Sequence, residues 1–438
     1  MVHRLSLTGV RARSWWLSRR ALARDGYLYA AAGAFAIGMG WTSTQPAQWH
    51  WGYLAVGPYV AAAVVALVAA RRVLRRETLL RIVLLALVVV GAVVIPLGLE
   101  ARWRQIDHGV GFAQPEVSVI ERSATLVSRG QDPYRSYVHD GRVVDAVKGI
   151  PPYQSFFPYF PLMAVFGLPS AATHNGSDLT DARIIMSLMT LVTSGLALAL
   201  LRAPRERKIL VALVLLALPS GALFLSTGGD DMPILALLLL GVAFLQRRSN
   251  YLAGVSFAVA AAMKLTAWPV VAGSLLVARS RDGRRAWLRV ALVVVAVVVA
   301  TTLPYAWHAP HAFIANVFAF PLGLAGVHSP AASALPGHLV TTWFPVLGHL
   351  LAPATLMIGG YVAARYLRDH WPVTLSQLLM VVSALFLAII LMSSATRVGY
   401  VIYPLNIALW GWVCRETDES ASPDVLERRR VLVDPVGP

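Results

Sequence analysis

The sequence predicts an all-α polytopic membrane protein: a bundle of about 11–13 transmembrane helices with an enlarged external loop that carries amphipathic helices. Three observations predict it. Of 438 residues, 57% are hydrophobic and 14% charged, whereas a soluble globular chain carries roughly 45–50% and about 25%. Apolar runs close to the roughly 20 residues that cross a bilayer recur along the chain. The net charge of +16 sits in short basic clusters between those runs. That is the pattern of cytoplasmic loops under the positive-inside rule, not of a surface that binds nucleic acid.

In chain order, residues 1–26 form a basic, cytoplasmic N-terminus. No small-residue cleavage site closes the apolar run from Tyr27, so 27–44 reads as an uncleaved first span. With 52–70 and 79–98 it makes an N-terminal membrane region over 27–98. Residues 99–183 are the largest extramembrane piece, too long for a simple connector. Within them Val117, Ile120, Ala124 and Val127 recur at helical spacing, and Gln131-Asp-Pro ends that helix. The stretch FFPYFPLMAVFGLPSAA (156–172) is apolar, but its prolines suit a short re-entrant or interfacial helix.

A membrane core follows over 184–414, with spans at 184–202, 208–225, 232–246, 285–304, 342–364, 373–393 and 398–414. The block 251–278, interrupted by Lys264 and Pro269, is long enough for a hairpin of two short spans. With that hairpin every basic cluster can lie in the cytoplasm. The tail 415–438 is polar and reads as cytoplasmic and disordered. Cys414 is the only cysteine, so there is no internal disulfide.

In this topology four polar groups reach the external side: Glu116 with Glu121, the turn Gly228-Gly-Asp-Asp231, Lys264, and Arg397 followed by Tyr400 and Tyr403. An ionisable residue at membrane depth is costly and points to function. Each also has a structural reading. Glu121 reads as a solvated helix face. Glu116 follows Pro115 and can serve as an N-terminal charge, and Asp230 and Asp231 can cap the next helix. Lys264 and Arg397 can snorkel to the interface. His308, His311, His328 and His338 lack metal-ligand spacing. Taken together, carboxylates and cations at a membrane surface fit a lipid-linked phosphate donor. Cations hold the phosphate, and a carboxylate acts as general base toward an acceptor hydroxyl.

Beyond these residues, the order of motifs resembles the membrane glycosyltransferases of family 87, in the GT-C superfamily. Glu116, Ala124, Gly130, Tyr134 and FFPYFPL match an acidic residue opening an external loop, an Ala-rich helix, Gly then Tyr, and an aromatic-Pro-Leu stretch. STGGDDMPILALLLLGVAFLQRRSNYLAGVSFAVAAAMKLTAWP and SSATRVGYVIYP continue the resemblance, which covers roughly residues 80–414. It implies a polyprenyl-phosphate sugar donor, with mannose ahead of arabinose, and a glycolipid or lipid-linked glycan acceptor. It also implies a plasma-membrane enzyme with the site facing outside, and the basic clusters place both termini in the cytoplasm.

By that resemblance Glu116 stands where the family has an aspartate base, a departure in residue type. Lys264 and Arg397 hold the donor phosphate, and Asp230 and Asp231 orient the sugar or Lys264. Tyr134, Tyr159, Tyr400 and Trp268 contact sugar or lipid. No cofactor is required, although Asp230 and Asp231 leave room for Mg or Mn. Two other classes stay open: a transporter or flippase of lipid-linked glycans, which calls for an internal repeat that the sequence does not show, and a non-catalytic scaffold of envelope assembly.

Overall fold

A computed structural model describes residues 2–72, 76–107, 110–174, 177–327 and 331–420. His328 and the tail beyond 420 lie outside the described residues. Helices dominate. The paired strands described are one short antiparallel hairpin, Tyr137–His139 with Arg142–Val144. Among the described residues six helices are long and apolar enough to cross a membrane: Pro46–Ala70, Glu77–Asp107, Ala182–Leu200, Arg284–His308, Pro345–Asp369 and Leu375–Met392. A seventh is added if the bent pair Arg205–Ala217 and Pro219–Thr227 counts as one span.

Other expected spans take shorter or mixed forms. Residues 27–44 belong to a longer helix, Val2–Thr42, and 232–246 is the 16-residue helix Asp231–Gln246. The block 251–278 divides into Asn250–Ala261 and Trp268–Asp282 around an extended Lys264. The region 398–414 opens with a 3₁₀ turn and continues as Ile402–Ser420. Within 156–172 the apolar helix is Pro161–Ala172. At 3₁₀ and α rises it extends about 20 Å, short of the roughly 30 Å hydrocarbon core.

The chain forms two compact units. The first comprises Met1–Pro133, Ala164–Val192 and Arg205–Pro233. Its helices Val2–Thr42 and Pro46–Ala70 approach closely because Gly52 has no side chain. A Cβ there would overlap the backbone of Ala36 and Gly40, and small residues permit such contact between membrane helices. Asp25 and Arg81, both buried, form an ion pair between helices of this unit. Two π-helical turns, Val90–Val94 and Leu213–Ala217, disturb the helical ladder. Side chains take up carbonyls there, as a water-poor setting demands. The Trp51 indole N–H donates to the Ala92 carbonyl at 2.8 Å, and the Tyr59 hydroxyl donates to Ala217 at 2.6 Å.

The second unit comprises Tyr134–Met163, Thr193–Pro204 and Ile234–Pro438. Its helix Leu375–Met392 starts with a capping box, Thr374 with Gln377. The Ser383 hydroxyl ties that helix to the Pro404 carbonyl at 2.8 Å. Arginines close helix C-termini here: Arg247 donates to the Leu200 carbonyl at 2.6 Å, and Arg281 donates to Leu245. Some basic residues that the sequence reads only as topology signals therefore also satisfy backbone groups.

Candidate active site

The expected site residues divide between the units. Glu116, Asp230 and Asp231 belong to the first; Tyr134, Tyr159, Lys264, Trp268, Arg397 and Tyr400 belong to the second.

In the first unit Pro115 opens the helix Pro115–Ser128, with Glu116 in its first turn, where a carboxylate faces the positive end of the helix dipole. Gln114, just before it, reaches the other carboxylate-bearing segment. Its backbone N–H donates to the Thr227 carbonyl at 2.9 Å, and its amide donates to the Thr227 hydroxyl at 2.8 Å. Thr227 ends the helix Pro219–Thr227, and Gly228 follows with φ +99, a conformation that favours glycine. Asp231 then opens the next helix, and both Asp230 and Asp231 are buried. The N-terminal turn of the Glu116 helix and the Gly228–Asp231 turn are thus fastened to each other.

The expectation for Glu121 is overturned. It is buried, not a solvated face. The Arg104 guanidinium grips it at 3.0 and 2.7 Å, fork on fork, and also reaches Asp181 at 2.8 Å. Glu121 further accepts from the Ala182 backbone N–H at 3.1 Å, at the start of the helix Ala182–Leu200. Arg183 completes the cluster. It is fully buried, and it donates to Asp181 at 3.0 and 2.9 Å and to the Phe112 carbonyl at 2.5 Å. Its Nη1 lies 3.4 Å from Glu100. Burial alone would raise Asp181, but Arg183 and Arg104 outweigh it and hold its carboxyl well below the usual carboxylate range.

In the second unit Lys264 has extended backbone between two short helices. Its ammonium lies 5.5 Å from the centroid of the Tyr159 ring, within cation–π range. The backbone of Phe160 and Leu162 donates to the carbonyls of Met263 and Ala262 at 3.0 and 3.3 Å, satisfying groups left over past the helix end. Trp268 stacks on Phe160 with centroids 5.6 Å apart and donates its indole N–H to Ala261 at 3.1 Å. Thr266 and Tyr403 share a hydroxyl–hydroxyl bond of 2.6 Å. That bond ties the Lys264 turn to the last helix.

Arg397 has extended backbone just after Thr396, which bridges to Ala332, and its carbonyl accepts from the Tyr400 N–H at 3.0 Å. Tyr134 is buried, and its hydroxyl donates to the Tyr159 carbonyl at 2.7 Å.

Sequence reasoning passed over several residues of these two groups. Arg104, Asp181 and Arg183 stand far from Glu121 in the chain, and their types alone are ordinary. Asn316, fully buried, accepts from Phe157 N–H at 2.7 Å and donates to the carbonyls of Ser136 and Ala312 at 2.6 and 2.7 Å. A polar residue in the apolar run AFIANVFAF was the one available signal. Among the described residues, no three His, Cys, Asp or Glu side chains gather as a metal-ligand set.

No curated protein matches the chain. Residues 157–394 match Glycosyltransferase family 87. The matched stretch contains Tyr159, Asp230, Asp231, Lys264 and Trp268, and lies between Glu116 and Tyr134 on one side and Arg397 and Tyr400 on the other. It spans more than half of the 438 residues, so the chain belongs to glycosyltransferase family 87 and is a multi-pass membrane glycosyltransferase.

Proposed function

We propose that this glycosyltransferase moves a hexose, mannose first among the candidates, from a polyprenyl-phosphate donor to a glycolipid or lipid-linked glycan. The transfer takes place on the external face of the plasma membrane, with both termini in the cytoplasm. The observation that carries the reading is Lys264: a cation on a non-helical break inside an apolar block, within the stretch that matches the family. Irregular backbone at membrane depth is tolerated where it lines a protein-enclosed site, and a charge there marks a substrate path.

In this reading the Glu116 carboxylate takes the proton of the acceptor hydroxyl. The acceptor oxygen bonds to the anomeric carbon as the bond from that carbon to the donor phosphate oxygen breaks. The electron pair leaves with polyprenyl phosphate, whose added negative charge Lys264 and Arg397 balance. A single displacement inverts the anomeric centre. Asp230 and Asp231 orient the sugar, and Tyr134, Tyr159, Tyr400 and Trp268 form contacts with sugar or lipid.

The test is transfer from radiolabelled polyprenyl-phosphate mannose, then the arabinose analogue, in membranes containing wild type or Glu116→Gln. The expected result is a labelled glycolipid from the mannose donor, reduced about 10²–10⁴-fold in the variant at equal protein level. Undiminished product from Glu116→Gln removes Glu116 as base. Product from the arabinose donor alone replaces the assigned sugar.

A further inference from the structure

Arg183 occupies a junction that the chemistry so far leaves unexplained. Its guanidinium is fully buried and bonds to three segments of the first unit: Asp181, the Phe112 carbonyl on the connector into the Glu116 helix, and Glu100. Its aliphatic stem does something separate. A Cβ built on Gly228 would collide both with Cγ of Arg183 and with Cγ2 of Val117. Val117 directly follows Glu116. The first residue of the Gly228–Asp231 turn is therefore packed against both the Arg183 stem and the neighbour of the proposed base. One turn further along the same helix, the Ser187 hydroxyl donates to the Leu225 carbonyl at 2.6 Å, so this face holds the preceding helix as well.

From this geometry we infer that Arg183 is a positioning residue: it sets the Gly228–Asp231 turn against the N-terminal turn of the Glu116 helix, and so fixes the direction of the Glu116 carboxylate. The inference rests on Glu116 being the base. A planar guanidinium holds two oxygens of Asp181 and a carbonyl at fixed angles, which a lysine ammonium cannot reproduce. Displacement of a reacting group by about 1 Å can cost about 10²-fold in rate. Loss of the fork should therefore appear in turnover rather than in donor binding.

The experiment uses the full-length protein in detergent extracts and membranes, with polyprenyl-phosphate mannose as donor and the membrane's own glycolipids as acceptor. Arg183→Lys keeps the charge and most of the stem. Asp181→Asn is the milder change and reads the same junction if Arg183→Lys fails to fold. For Arg183→Lys the expected result is kcat lower by about 10²-fold, donor KM within about twofold of wild type and unchanged yield of monodisperse protein. Asp181→Asn should lose about tenfold in kcat. Combined with Glu116→Gln, Arg183→Lys should cause little further loss, because residues acting as one unit are not additive.

Wild-type kcat in both Arg183→Lys and Asp181→Asn, with Glu116→Gln inactive, overturns the inference and leaves Glu116 in place. A loss that follows folded yield, or that multiplies with Glu116→Gln, also overturns it by showing a merely structural role. Wild-type activity in Glu116→Gln instead removes the underlying reading of the base.

Discussion

Two junctions of the molecule, the helix start at Asp181–Arg183 in the first unit and the irregular turn Met263–Thr266 in the second, carry different fastenings. The first is held by charge. Arg104 and Arg183 bind Glu121 and Asp181 through paired, charge-assisted bonds, with Glu100 at the edge. The second has neutral fastenings among its bonds: backbone donors from Phe160 and Leu162, the Trp268 indole, the Thr266–Tyr403 hydroxyl pair and stacked rings. Its cation, Lys264, meets a ring face. The contrast separates two uses of charge near a membrane. Guanidiniums locked on carboxylates fix backbone geometry. Lys264 lies over an aromatic ring, in a turn that neutral bonds also secure, and the role proposed for it is toward the donor phosphate.

That contrast breaks most directly at Lys264. Lys264→Met should lower kcat/KM for the polyprenyl-phosphate donor by about 10²–10³-fold, the range for removing a group that stabilises developing negative charge. Thermal unfolding of the detergent-solubilised protein should move less than the activity does, because the turn keeps the bonds made by Phe160, Leu162, Trp268 and Thr266. Full activity with a lowered melting temperature would make Lys264 a structural residue and erase the distinction between the two junctions.

The legibility of each junction in the sequence follows from the same difference. The Lys264 turn stood out because its signals are local: one lysine and one proline interrupt a long apolar run. The apolar segments were legible for the same reason, since length and composition alone mark them. The ionic cluster was not. Arg104, Glu121, Asp181 and Arg183 meet only through the tertiary fold, with Asp181 lying 77 positions after Arg104. Arg104 also escaped notice because the helix expected over 79–98 continues to Asp107. That extension carries Glu100 and Arg104 into the cluster. Amphipathic spacing placed the helix of Glu116 correctly, yet spacing cannot say which polar face is covered. Glu121 was consequently misread as solvated.

The second unit offers a way to sharpen the comparison. If neutral bonds carry its loop, the most connected of them should be expensive to remove. Asn316→Leu strips the partner from Phe157 N–H and from the Ser136 carbonyl while keeping the volume nearly constant. An unsatisfied buried polar group costs about 1–3 kcal/mol. The expected loss is therefore about 3 kcal/mol, read as a lower midpoint in denaturant or heat. A loss below about 0.5 kcal/mol would mean that the loop is held elsewhere, for instance by the Tyr134–Tyr159 bond.

The smallest effect concerns acid and belongs to the first unit. Arg183 and Arg104 lower the Asp181 carboxyl below its ordinary value even though burial acts to raise it. A group with a lowered folded value stabilises the fold above its unfolded value, about 3.9 for aspartate. That contribution is lost as pH falls through the folded value. Between pH 7 and pH 5 the Asp181 contribution should be constant. Below about pH 4 stability should fall, and Asp181→Asn should show a shallower fall because its side chain has no proton to gain. The check is the melting temperature of wild type and Asp181→Asn, in detergent, from pH 6 to pH 3. Parallel curves would show that acid acts through other carboxylates, and that the charge on Asp181 adds no pH-dependent stability to the helix start at Asp181–Arg183.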